Sequence, residues 1–250
     1  GSGLTSFSCM ENKEKIVEHK RRNRDMFNAI AQRYDLLNHL LSGGVDISWR
    51  RRALDSVRGE APQRVLDLAT GTGDFALAAE RLSPRQVVGV DMAIEMLRLG
   101  ADKVAKRCPP MLVGLLVSDA EGLPFKAETF DLVMGAFGVR NFGDIPSGLA
   151  EAYRVLKPGG EILVLDFCQP TTPLFRQLYQ FYFHRVLPLV GGLISGQRQA
   201  YAYLPRSVGE FPQGQAFVDL LDAVGFAETG YTPMTLGISA IYQGVKRPLD

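Results

Sequence analysis

One stretch, RVLDLATGTGD over residues 64–74, limits what this chain can fold into more than any other. Val65, Leu66 and Leu68 form a short apolar run broken by Asp67. The loop Ala69-Thr70-Gly71-Thr72-Gly73 follows, and FALAAERL then has helical spacing. Strand, glycine turn and helix in that order open a nucleotide-binding α/β sheet. Gly71 and Gly73 permit turn dihedrals and a close approach of backbone to ligand, and the next helix offers unpaired N-terminal amides. The pattern also reads as G-x-G-x-x-A, which suits a dinucleotide. Asp67 separates the two readings. A carboxylate on the strand before the first glycine repels a pyrophosphate and pairs with the ammonium of an amino-acid-like ligand. S-adenosylmethionine is the expected cofactor, and an NAD-dependent oxidoreductase is the competing reading.

A length of 250 residues gives one generous domain, or one domain with an insertion. The net charge of +1 makes no electrostatic case for nucleic acid. Cys9, Cys108 and Cys168 have neither metal-ligand spacing nor an even disulfide framework, so no metal and a reducing compartment are expected. No signal peptide and no bilayer-length apolar run are visible, which predicts a cytoplasmic protein. Residues 1–9 read as a vector-derived or loose extension, with Met10 as a natural start. Residues 10–60 read as an N-terminal helical cap and 61–250 as the main domain, interrupted by an insertion at 171–211.

The cap begins with a charged helix from Glu11 to Tyr34. Its Lys13, Lys15, Lys20, Arg21, Arg22 and Arg24 suit either anionic lipid or a solvated face, and the interleaved Glu11, Glu14, Glu18 and Asp25 favour the latter. Trp49 is expected to pack this region onto the sheet. Beyond the glycine turn, VVGVDM, MLVGLLVSDA, FDLVMGAFGV and EILVLDF read as further strands with helices between them, predicting a parallel sheet covered on both faces. Lys157-Pro158-Gly159-Gly160 reads as a turn into the fifth strand. AFVDLLDAVGF is a helix closed by Gly225, and AETGYTP with GISAIYQGVK is a strand pair.

Asp67, Asp91 and Asp119 fall at the ends of three successive strands, where open α/β sheets bind ligands. Asp91, twenty residues after Gly71, can bridge two ribose hydroxyls or cap the next helix. Asp119 can accept from an adenine amino group, with the Ala120 amide reaching a ring nitrogen, or form a turn. Together with DAEGLPFKAETFDLV, AFGVRNFGD, YRVLKPGGEILVLDF, YLPRSVGEFP and the GIxAxYxGxK end, these stretches resemble the class I S-adenosylmethionine-dependent methyltransferases. Within them the chain closely resembles the ubiquinone/menaquinone biosynthesis C-methyltransferases, from about Phe27 to Lys246. The resemblance implies a Rossmann-like seven-stranded α/β sheet, mostly parallel with a C-terminal antiparallel pair and helices on both faces. It also implies methyl transfer to a ring carbon of a polyprenylated hydroquinone such as demethylmenaquinol, or 2-polyprenyl-6-methoxy-1,4-benzoquinol. By motif match Thr72, Asp91, Asp119 and Ala120 contact the cofactor, and Asp67, Gly71, Gly73, Met92 and Ala136 complete the candidate set. Two positions depart from the pattern. Ala136 stands where Ser is expected, and Tyr242 where His is frequent.

Ionising one quinol hydroxyl makes the adjacent ring carbon nucleophilic, so the protein must align carbon, methyl and sulfur and manage one phenolic proton. Arg140 can stabilise the phenolate or orient a water; the alternative is a salt bridge tying down its loop. Asn141 can hydrogen-bond a quinol oxygen, and Tyr34 and Asp35 are further candidates from the cap. In the insertion, Phe175, Tyr179, Tyr182 and Val186 share a helical face, with Leu174, Leu178 and Phe181 beside it. Two readings stand. One is a lid that takes the isoprenoid tail and touches the inner membrane face through 171–195; the other is a homodimer interface. Two further functions compete: methylation of another small lipid-like acceptor, and a non-catalytic cofactor-binding subunit of a quinone-synthesis complex.

Overall fold

The computed structural model describes residues 2–42, 44–107, 112–170, 172–181, 185 and 198–248. Two helices come first, α1 (Ser2–Ser42) and α2 (Val45–Asp55). The alternating part follows as β1 (Arg64–Leu68), α3 (Asp74–Ala78), β2 (Gln86–Asp91), α4 (Ile94–Arg107), β3 (Val113–Val117), β4 (Phe130–Ala136), α5 (Ile145–Val155) and β5 (Leu156–Phe167). Then come α6 (Pro173–Phe181), α7 (Arg198–Glu210), α8 (Gln215–Val224), β6 (Phe226–Met234) and β7 (Ser239–Lys246).

The seven strands form one sheet in the order β3-β2-β1-β4-β5-β7-β6. β1 to β5 run parallel, while β7 is antiparallel to both β5 and β6. This is the expected architecture, C-terminal pair included. Its central strands are apolar on both faces, because each face is covered. On one face Leu66, Val133, Val164 and Tyr242 pack with Leu149 and Ala152 of α5 and Phe217 and Leu221 of α8. On the other, Val65, Leu132, Met134, Leu165 and Ile241 pack with Trp49 and Leu54 of α2 and Phe75 and Ala76 of α3.

Trp49 packs as expected. It is buried beside Phe137 and Phe167, and its Nε1–H donates to Thr235 Oγ1 at 2.7 Å, joining α2 to the β6–β7 connection. Gly225, at φ +112°, ends α8 through amide bonds to Leu221 and Asp222. The Lys157–Gly160 segment differs from a free turn. It is an irregularity inside β5, where the pairing jumps from Phe130–Leu156 to Leu132–Glu161. Gly159 takes φ +79°, and Lys157 Nζ is anchored on Asp131 Oδ1 at 2.7 Å.

Tyr242, at the position where His is frequent, is fully buried. Its hydroxyl accepts the Gly214 amide at 2.9 Å and lies 3.2 Å from Cys168 Sγ. Burial pushes the phenol well above its ordinary range, with the neighbouring Cys168 adding to the rise. The residue is thus a neutral strut between β7 and the start of α8. Of the helical face proposed for the insertion, α6 is described. The side chains of Leu174, Phe175, Leu178 and Tyr179, and Tyr182, His184 and Val186 altogether, lie outside the described residues; Phe181 is exposed.

Candidate functional site

The strand order reverses between β1 and β4, which splays the loops leaving their C-terminal ends and opens a crevice. One cavity fills it. From the sheet it is lined by Asp67, Thr70, Gly71 and Thr72 at the C-terminal end of β1, Asp91 and Met92 at that of β2, Asp119 to Glu121 just beyond β3, and Ala136 to Gly138 with Asn141 and Phe142 at the end of β4. From the first two helices come Lys20, Asn23, Phe27, Tyr34 and Arg50.

The glycine turn is built from left-handed residues. Ala69 has φ +50°, Gly71 +57° and Gly73 +81°. Ala69 is a non-glycine in that region, a strain that surrounding structure must hold in place. The Thr70 amide donates to Val90 O at 3.0 Å, and the Gly73 amide closes the turn on Thr70 O at 2.9 Å. Asp91 ties β2 to it: Oδ2 accepts the Gly71 amide at 2.9 Å and Oδ1 the Ala93 amide at 2.8 Å. Burial raises the Asp91 carboxyl above its ordinary range, against the pull of those amides. Each oxygen keeps a further lone pair, so two ribose hydroxyls can be held without breaking the turn.

Asp67 is fully buried on β1. Thr70 Oγ1 donates to its Oδ2 at 2.5 Å, while Oδ1 has no hydrogen-bond partner among the described residues. Burial pushes its carboxyl up to about 7, with the Thr70 hydroxyl and the charge of Arg50 acting against the rise. An unsatisfied buried acceptor in a cavity wall is a costly feature unless a ligand completes it. A cationic group would do so, and the residues present fit S-adenosylmethionine: Asp67 could hold its ammonium, Asp91 its ribose, and Asp119 with Ala120 its adenine.

Asp119 carries a feature that composition hid. Its Oδ1 accepts the Glu121 amide at 2.9 Å, and its Oδ2 pairs with Lys20 Nζ of α1 at 2.7 Å. Lys20 also reaches Glu121 Oε2 at 2.6 Å, and Glu121 Oε1 accepts the amides of Gly143 and Asp144. Lys20 is therefore a half-buried crosslink, while Lys13, Lys15, Arg21 and Arg22 are exposed as a solvated face requires, and the exposed Arg24 stands at the cavity wall. Asn23 of α1 is buried, donating through Nδ2 to Asn141 O at 3.1 Å.

The four candidates for the acceptor side separate. Asn141 and Tyr34 line the cavity; Asn141 Oδ1 accepts the Tyr203 hydroxyl of α7 at 3.1 Å. Arg140 does not line it. Its Nη1 donates to Asp166 Oδ1 at 2.7 Å and to Phe137 O at 2.5 Å, and its side chain is buried. Burial works against its charge, but Asp166 outweighs that and holds the guanidinium protonated, above its ordinary range. Asp35 belongs to α1, and its side chain lies outside the described residues. Among the cofactor candidates, Asp67, Gly71, Thr72, Asp91, Met92, Asp119, Ala120 and Ala136 line the cavity, while Gly73 shapes the turn behind it. Thr72 is buried, its hydroxyl accepting from Lys103 Nζ at 2.9 Å. Ala136 brings a methyl group where a Ser would bring a hydroxyl.

The sequence reading did not pick out Lys20, Asn23, Phe27 or Arg50 as cavity residues. For Arg50 a signal existed in DISWRR, directly after Trp49, whose burial fixes which face of α2 meets the sheet. For the three α1 residues the charge pattern pointed outward.

Residues 14–246 match the model of the ubiE/COQ5 methyltransferase family. A ubiquinone/menaquinone biosynthesis C-methyltransferase UbiE of Geobacter sulfurreducens is 48% identical over 245 residues, covering 96% of this chain and 95% of its own. A demethylmenaquinone methyltransferase of Thermus thermophilus is 49% identical over 220 residues, covering 88% and 99%. In fold the chain is similar to an S-adenosylmethionine-dependent methyltransferase of Thermotoga maritima, with TM-score 0.63 at 20% identity over 89% of this chain and 99% of that one. The chain belongs to the ubiE/COQ5 methyltransferase family.

Proposed function

We propose that this protein transfers the methyl group of S-adenosylmethionine to a ring carbon of a polyprenylated hydroquinone, with demethylmenaquinol as acceptor and 2-polyprenyl-6-methoxy-1,4-benzoquinol as the second. One observation carries this reading: a single cavity joins the carboxylate-lined cofactor wall to an aromatic and amide wall of Phe27, Tyr34, Phe137, Asn141 and Phe142. Bound S-adenosylmethionine supplies an electrophilic methyl on a sulfonium. The chain supplies position, dryness and charge. Asn141, held by Asn23 and Tyr203, offers its amide to a quinol oxygen, and a restrained donor loses little freedom on binding. Phe27 and Tyr34, in edge contact at 6.0 Å, cover the ring and keep water from it.

In this mechanism Arg140 is a positioning residue rather than a base. Its ion pair with Asp166 fixes the end of β4, and its charge is felt at Tyr34 and Tyr203, favouring negative charge on a phenol nearby. The segment 171–195 takes the isoprenoid tail at a bilayer surface; no described helix is long and apolar enough to cross a membrane. The same segment serves the alternative of a homodimer, which sedimentation with and without lipid separates from it.

The deciding experiment offers labelled S-adenosylmethionine with each reduced quinol and each oxidised quinone. Transfer to quinols alone is the expected result. Tight cofactor binding with no transfer to either quinol sends the assignment to another lipid-like acceptor.

A further inference from the structure

Among the described residues, two buried side-chain polar atoms have no hydrogen-bond partner: Asp67 Oδ1 and Arg50 Nε. Both residues line the same cavity. One atom can only accept when its carboxyl is ionised and the other can only donate, yet they do not bond each other. Orphaned groups of this kind are rare in native interiors, because each has given up water for nothing. Two of opposite sign in one cavity mark the ends of something that carries both charges.

The orientation of Arg50 sharpens this. Its Nη1 is committed to Asp46 Oδ2 at 2.5 Å, one turn earlier on α2, and its guanidinium carbon sits 5.3 Å from the centre of the Phe137 ring. Both side chains of that pair are largely buried, at 11% and 4% exposed. With Nη1 taken, the guanidinium edge that carries Nε is the one left to meet an acceptor. That edge matches a planar two-oxygen group such as a carboxylate. Asp67 lies on the neighbouring strand, near enough for the charge of Arg50 to act on it.

We infer that Arg50 recognises the α-carboxylate of the cofactor's amino-acid end while Asp67 takes its ammonium, so that Arg50 sets the requirement for an intact amino acid. This rests on the S-adenosylmethionine reading of the site. A lysine at this position would bring a point charge without the planar edge, and would share it between Asp46 and the carboxylate.

The test is isothermal titration of the full chain with two ligands: S-adenosylmethionine, and its decarboxylated analogue carrying a propylamine in place of the amino acid. Wild type should prefer the first by about 30-fold or more, the scale of losing one partner of a buried charge pair. Arg50→Met should remove that preference, weakening S-adenosylmethionine while leaving the analogue within about 3-fold of wild type. Arg50→Lys should recover part of the preference. Equal weakening of both ligands in Arg50→Met would assign Arg50 to structure alone and overturn the inference, as would equal affinity of wild type for the two. If Arg50→Met does not fold by circular dichroism, the wild-type ratio and Arg50→Lys decide. A wild type that binds neither ligand overturns the cofactor reading and this inference with it.

Discussion

At the scale of single residues the site is governed by Asp67. A carboxyl raised to about 7 is largely protonated in the empty protein below that pH, whereas a cationic ligand binds the ionised form. Binding must therefore release a proton. As pH falls below about 7, affinity for S-adenosylmethionine should drop by about tenfold per unit, and the dependence should flatten above it. For the empty protein the sign is the reverse. Its folded pKa exceeds the unfolded value, so this group's contribution to stability is full below the unfolded pKa and is lost as pH rises through about 7. Titrations across pH 5.5–8.5, in buffers of differing ionisation heat, read both the slope and the proton. Asp67→Asn should abolish the slope and the proton release together; a slope that persists in that variant places the titration elsewhere.

Tyr242 belongs to the same scale and answers a different question. A phenol pushed high by burial and held between the Gly214 amide and Cys168 has no proton to trade near neutral pH. Tyr242→Phe should cost about 1–3 kcal/mol in urea unfolding, the penalty for leaving a buried amide unpaired, with methyl transfer per folded molecule unchanged. A fall in turnover at equal stability would return Tyr242 to the chemistry.

Elements decide how the loops of the cavity are held. Gly138, just beyond β4, passes so close to Ala69 that an added Cβ would lie 2.5 Å from the Ala69 Cβ. Ala69 and Phe137 are both in the left-handed region, at φ +50° and +60°. Two strained strand ends therefore meet at a point with no spare volume. Gly138→Ala should displace the glycine turn, weaken S-adenosylmethionine about tenfold or more and cost about 1–3 kcal/mol of stability. Gly114→Ala, whose Cβ would meet nothing within 4 Å, is the control and should change neither. Equal behaviour of the two variants would mean that the Ala69–Gly138 contact is not what sets the turn.

Elements also show why some of the site was legible and some was not. β1, its glycine turn and the three strand-end aspartates could be read because each signal is local: a period-two run, a residue free to take positive φ, an acid within two residues of a strand's C-terminal end. Gly225 and the β6–β7 pair were readable for the same reason. Lys20 was not, since its partner Asp119 lies 99 positions away, and a lysine inside a salt crosslink looks in sequence like one facing water. Arg140 illustrates the middle ground. The motif located it at the end of β4, but whether its guanidinium met the cavity or the neighbouring strand depended on Asp166, which β5 brings alongside.

For the whole molecule, β7 is the strand that holds one half of the sheet together. β7 follows β6 in sequence yet sits between β5 and β6, antiparallel to both, so that half is joined to the rest only through β7. Its final residue Lys246 acts as the clasp. The ammonium is buried, donates to the carbonyls of Leu156 at 2.8 Å and Tyr153 at 3.0 Å, and lies 4.9 Å from the Tyr153 ring centre. These groups are at the end of α5 and the start of β5, the rim of the sheet opposite the cavity, because β7 runs against β5 with Val245 beside Glu161. Lys246→Met keeps the stem's packing but strands two buried acceptors, at a cost of about 1–3 kcal/mol. Urea unfolding should therefore shift to lower midpoint with an unchanged slope, while S-adenosylmethionine affinity at 25 °C stays at the wild-type value. A Lys246→Met protein that loses cofactor affinity in proportion to its stability would show that the two rims are energetically one unit, and that the C-terminal half of the sheet is needed to hold the glycine turn.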